Sequence, residues 1–274
     1  MTPFVIEPLL ILELALLGVG AGFLAGLLGI GGGMVMVPFL VRILTHRGVS
    51  SDLAVKMAIA TAMATILFTS LSTMRAHHRR GAVRWDIVRT MTPGIALGSL
   101  AAGAGVFALV KGQALALGFA LFVGYAATRM LRTKAPSPDR LLPGRWGQAS
   151  VGAGIGFASA LVGAGGAFLA VPFMTRCNVL IHNAVATGAA IGFPIALAST
   201  LGYIVSGWSQ PIVLPGAVGF LYLPALAVIS SASMLAAPLG ARAAHAMDTR
   251  QLRRVFAVML YALAADMLWR GLSG

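Results

Sequence analysis

Gly22–Phe39, GFLAGLLGIGGGMVMVPF, and Gly156–Phe173, GFASALVGAGGAFLAVPF, decide how this chain is read. Nine of the eighteen paired positions are identical, including Gly29/Gly163, Gly31/Gly165, Gly32/Gly166 and Pro38/Pro172. Each stretch is an apolar run broken by a glycine cluster, with only about ten apolar residues after the break. A helix needs about 20 to cross a bilayer. The match continues at a shifted offset, AIAT at 58–61 against AVAT at 184–187, so Thr61 pairs with Thr187. It persists to Leu115, Phe119, Met130 and Leu131 opposite Leu252, Phe256, Met267 and Leu268. The chain therefore reads as a duplication: residues 1–132 form one repeat, 148–274 the other, and the polar, proline-rich 133–147 the linker.

Composition fixes the solvent. Of 274 residues, 58% are hydrophobic and 10% charged, with a mean hydropathy of +0.90. Soluble domains are about 45–50% apolar and about 25% charged, so a soluble fold is excluded and the bilayer is the partner. The net charge of +13 would suggest nucleic acid in a soluble chain. Here the bases lie in short stretches between apolar segments, as cytoplasmic loops do, and no nucleic-acid partner is expected. Cys177 is the single cysteine, which leaves no internal disulfide and no thiolate metal site. No Lys or Arg precedes Arg42, so the first apolar stretch lacks a signal peptide's basic n-region and is expected to stay as structure.

Spans are expected near 53–74, 90–110, 112–131, 183–207, 217–241 and 251–269, which with 9–45 and 148–177 make eight hydrophobic segments. If the two glycine-broken regions cross the membrane, the bases other than Lys56 divide eleven inside to eight outside. If each returns to its own side, the split is fifteen to four. The positive-inside bias favours the second arrangement. The expected fold is thus an all-α polytopic membrane protein of two inverted repeats, each a re-entrant helical hairpin plus three transmembrane helices, with both termini outside.

Broken helices survive in hydrocarbon only when buried in protein or beside water. After each break the short helix presents unpaired N–H groups and about half a positive charge, which suits an anion. Paired broken helices in inverted repeats are a transporter plan. The expected substrate site is therefore Gly29, Gly31, Gly32, Gly33 and Met34 from one half and Gly163, Gly165, Gly166, Ala167 and Phe168 from the other. Thr61 and Thr187 offer hydroxyls at matched positions, either to the anion or back to the preceding turn. Lys56 and its mate His182 frame an anion path, unless Lys56 snorkels and His182 is a loop residue. Asn183 caps the following helix or contacts substrate, and Asp52 reads as an N-cap. Gly18, Gly22 and Gly26, spaced by four, read as a packing face. His77 and His78 belong to a basic loop rather than a metal site, and the four tryptophans lie near span ends.

GLLGIGGGMVMVPFL, ALVGAGGAFLAVPFM, the AIAT/AVAT positions and the four-segment repeat resemble the TauE/SafE sulfite exporter family, also called the toluene sulfonate uptake permease family. The resemblance covers essentially the whole chain. It implies secondary transport of sulfite, organosulfonates or related small anions, with Ala167 departing from the Gly33 of the first half. No HExxH, GxSxG or GxxxxGK[ST] motif occurs, so no enzyme, metal or other cofactor is expected. The expectation is a multi-pass carrier of the bacterial-type inner membrane, working by alternating access at a midplane site. An anion channel of the same fold and a non-transporting assembly factor stay open, as does a homo-oligomer.

Overall fold

The structure is a computed structural model that describes residues 8–28, 32–131, 141–208, 210, 214–246 and 249–273. Gly29 and Gly31, and most of the linker, lie outside the described residues. The first half of the chain comprises α1 (Pro8–Leu28), α2 (Gly33–His46), α3 (Ser51–Arg79), α4 (Trp85–Leu100) running into a π-helical segment (Ala101–Val106), and α5 (Gly112–Leu131). The second comprises α6 (Arg145–Val162), α7 (Ala167–Arg176), α8 (Ile181–Gly207), α9 (Leu223–Ala246) and α10 (Thr249–Ser273).

Two expected boundaries move. Residues 217–222 are not helix but a small antiparallel hairpin, β1 (Ala217–Val218) and β2 (Leu221–Tyr222), with Ala217 opposite Tyr222 and Val218 opposite Leu221. Gly216 and Gly219 have positive φ there, which ends the apolar run as helix before Leu223. The expected span 90–110 carries the π segment, whose wider turn places Phe107 in the core with no exposed surface. Among the described residues, three helices are long and apolar enough to cross a membrane by length and composition, at Pro8–Ala25, Ser51–Arg79 and His182–Gly207. Leu97, Leu121 and Leu235 stand 70–79% exposed on the outer surface, as lipid-facing leucines do.

The halves are interlocked. α1 packs along α9, and its repeat mate α6 packs along α4. α3 packs on α8 and α5 on α10, while the short α2 and α7 lie on α3 and α8. Exchanging the halves maps each of these pairings onto its counterpart. Glycine sets the approach of the first two pairs. A Cβ at Gly22 would collide with the Ser233 backbone of α9, and one at Gly98 with the Ala153 carbonyl of α6. Lipid provides no hydrophobic drive between helices, so such close backbone approach is what holds them.

Both breaks turn the chain back on itself. α6 ends at Gly163 in the left-handed conformation (φ 70°), where the N–H groups of Gly163 and Ala164 both donate to the Ser159 carbonyl. Gly166 then lies beside Ile155, seven residues before the end of α6. In the first half Gly32 lies against the Ala21 backbone, seven residues before the end of α1.

Candidate functional site

Two threonines tie the repeats together. The Thr61 hydroxyl accepts the N–H of Tyr222, the residue just before α9, at 3.1 Å. The Thr187 hydroxyl accepts the N–H of Arg84, the residue just before α4, at 3.0 Å. Each thus holds the start of a helix from the other half. The two bonds also set α3 and α8 in opposite directions, since each helix meets near its start the segment that follows its neighbour. Arg84 in turn forks onto Asp86 (2.9 and 2.6 Å), and these bonds hold the Asp86 carboxyl below the ordinary range.

The two glycine breaks meet between these helices. A Cβ at Gly33 would sit 2.9 Å from the Gly163 carbonyl oxygen and 2.6 Å from Ile66 Cδ1. The N–H groups of Gly33 and Met34, and those of Gly165, Gly166 and Ala167, have no hydrogen-bond partner among the described residues. Gly163 and Phe168 do not add donors, because their N–H groups go to Ser159 and Gly165. The Phe168 ring instead packs edge-on to Phe122 at 6.5 Å.

Beside the second break is a pocket of about 50 Å³. Gly165, Gly166 and Ala167 form one wall, and Thr69, Ser70, Ser72 and Thr73 of α3 another. Gly188 and Gly192 leave room on α8, and Met234 closes the space from α9. Thr69 and Thr73 donate to their own helix, at 3.3 and 3.0 Å. Ala25, Ile66, Ala189 and Ala237 complete a largely apolar lining, so the backbone N–H groups are the donors there that have no bond of their own among the described residues. The pocket lies toward the end of the bundle where α3 finishes. The opposite end is filled by Phe107 against Tyr203 (ring centroids 4.4 Å apart) and Phe220 (5.6 Å).

Of the expected site residues, Gly165, Gly166 and Ala167 line this pocket, Gly33 and Gly163 meet at the junction of the breaks, Gly32 lies against Ala21, and Met34 is buried. Lys56 is elsewhere. It is buried at the filled end, where Nζ donates to the Ala108 carbonyl at 3.1 Å, pairs with Asp52 at 3.2 Å and lies 6.0 Å from the Phe220 ring. Asp52 is not an N-cap but accepts the Gly112 N–H, at the start of α5. His182 is exposed, because α8 begins one turn later relative to the repeat than α3 does. Asn183 is the third residue of α8 and makes no capping bond; Leu180 holds the cap position. His78 accepts from Trp85 Nε1 at 3.1 Å, and among the described residues no cluster could hold a metal ion.

The α3 wall is what a reading of the sequence passed over. Thr61, Thr65, Thr69 and Thr73 recur every four residues in an apolar helix, which puts them on one face. That spacing was the available signal.

An interlocked, glycine-broken helical bundle with a small internal pocket fits a multi-pass membrane transporter. Residues 14–267 match the sulfite exporter TauE/SafE family, and the chain belongs to that family. A probable membrane transporter protein of Haemophilus influenzae is 35% identical over 265 residues, covering 94% of this chain and 97% of that one. The probable membrane transporter protein YunE of Bacillus subtilis is 28% identical, with the same coverage. Another probable membrane transporter protein, from Xylella fastidiosa, is 29% identical over 91% of each chain. No solved structure matches the chain.

Proposed function

We propose that the chain is a secondary carrier for a small sulfur oxyanion, sulfite or one of similar size, in a bacterial-type inner membrane. The observation that carries this is the small pocket lined by Gly165, Gly166 and Ala167, whose N–H groups have no hydrogen-bond partner among the described residues, beside the hydroxyls of α3. A cavity of about 10–15 Å³ on this measure holds one water. The space of about 50 Å³ therefore suits an ion of four or five heavy atoms and not an aromatic sulfonate. Hydrogen bonds to a charged group contribute roughly 1.5–3 kcal/mol each. Three of them bring the affinity into the millimolar-to-micromolar range, about 4–8 kcal/mol, which lets a carrier release its cargo. Thr69 and Thr73 would turn their hydroxyls from the helix carbonyls to the ion, and no protein cation is needed.

The repeats are inverted in this reading, each with a hairpin that returns to its own side. The opposed α3 and α8, the exchange symmetry of the helix pairs and the charge split support it. The basic stretches 75–89, 129–145 and 242–254 are then cytoplasmic, and the pocket faces the cytoplasm while the aromatic end is shut. Alternating access would move one half against the other.

The test is exchange in proteoliposomes. Vesicles preloaded with labelled sulfite should lose the label to external sulfite, and a neutral sulfone should not compete. Currents without counterflow would assign a channel instead, and absence of any oxyanion flux would leave an assembly role. Single cysteines at 135–140 and 245–250, with Cys177 replaced, should react from the cytoplasm and those at 111–113 and 208–210 from outside. External labelling at 245–250 would refute the inversion.

A further inference from the structure

A second set of groups suited to an anion lies at the end of the bundle where α2 and α10 finish. Arg42 Nη2 donates to Asp266 Oδ1 at 2.5 Å, and Arg270 Nε donates to Asp266 Oδ2 at 3.1 Å. Next to them is a pocket of about 270 Å³ walled by Arg42, Thr45, His46 and Arg270. Two permanently charged guanidiniums share one carboxylate, so the group keeps a net positive charge. The planar fork that fits a carboxylate's paired oxygens fits those of a sulfur or phosphorus oxyanion equally well.

We propose that this pocket is a second oxyanion site and that Asp266 is a competitor built into it. The Arg42 side chain is 59% exposed and that of Asp266 20%. An ion pair within reach of water is weak and exchangeable, so an incoming oxyanion can take Arg42 and Arg270 from the carboxylate. The Arg42–Asp266 ion pair joins the two halves of the chain. Its exchange for a solute anion frees α2 from α10. The other end of α2 is Gly33, about 14 Å along the helix axis at 1.5 Å per residue, where the two breaks meet. The effect on transport rests on the carrier reading; binding at this site does not.

The test is calorimetric titration of the purified full-length protein in detergent with sulfite, then with inorganic phosphate. Two classes of site are expected. Arg42→Gln with Arg270→Gln should remove one class and keep the other, and Arg270→Lys, which keeps the charge but loses the fork, should weaken it. Asp266→Asn should tighten the same class about fivefold, since the displaced pair costs no more than an exposed ion pair. Unchanged stoichiometry in the double variant, or Asp266→Asn that fails to tighten binding, overturns the proposal. Loss of the other class in Gly165→Leu reports on the pocket beside α7, so the two readings fail separately. Nanodiscs of phosphatidylglycerol that abolish sulfite binding at this site, where phosphatidylcholine does not, would assign the oxyanion to a lipid headgroup.

Discussion

Replacing Thr61 by valine keeps the side chain's volume and removes the oxygen that takes the Tyr222 N–H. Thr61 has no exposed surface and Tyr222 is 7% exposed, so water does not replace the lost acceptor. A buried unpaired donor costs about 1–3 kcal/mol. Interhelical hydrogen bonds measured inside membranes average about 0.6 and reach about 1.7 kcal/mol. The Tyr222 N–H is held at the junction of β2 and α9 and has no other partner to turn to, so a loss of about 1.5–2 kcal/mol is expected. The Thr187 bond to Arg84 is only partly buried. Water can reach it, and Thr187→Val should cost less than about 1 kcal/mol. The two share no partner, so the double variant should lose the sum. Equilibrium unfolding in mild detergent, with Thr61→Ser as the oxygen-retaining control, reads all three values. If Thr61→Val unfolds like the parent and instead loses sulfite binding, the hydroxyl is a ligand and the structural account is wrong. A larger loss from Thr187→Val than from Thr61→Val would refute the burial argument.

Thr69→Val with Thr73→Val should leave stability within about 1 kcal/mol, since only back-bonds to the helix are lost, while sulfite exchange falls at least tenfold. Full flux in that variant would move the site elsewhere. Gly33→Val places its branch against the Gly163 carbonyl and Ile66; exchange should stop while the protein still purifies as a folded species. Gly20→Ala meets nothing within 4 Å and should raise stability by up to about 1 kcal/mol through helix propensity, read by thermal unfolding. Lys56→Met should lower stability by about 1–2 kcal/mol, because Nζ loses the Ala108 carbonyl and Asp52, with sulfite affinity unchanged. A fall in affinity alone would return Lys56 to the anion path.

The glycine breaks were legible because their meaning is local. A cluster such as Gly163–Gly166 cannot continue a helix through hydrocarbon, and the short apolar piece after it cannot span. The four-residue spacing of Gly18 and Gly22 was legible for the same reason, and both close on α9. The roles of the polar residues were less so. Thr61 and Thr187 read as symmetric ligands, since a hydroxyl's position in sequence does not say whether a backbone N–H from 161 or 103 residues away will reach it. Lys56 and His182 read as a matched pair, yet one extra turn on α3 buries the first and leaves the second exposed.

The solvent, the matching pair of glycine-rich stretches and the two breaks could be read from the sequence by itself, because composition, local identity and the length of an apolar run are properties of contiguous residues. Only the tertiary structure decided that α1 lies on α9 and α6 on α4, that the Gly33 and Gly163 segments touch, and that a pocket with hydroxyls on one wall opens beside the second break. There Thr69, Ser70 and Thr73 of the first repeat face Gly165–Ala167 of the second. These facts depend on which backbone approaches which across the repeats. Each approach is set by small residues on both partners at once, and neither stretch alone specifies the other.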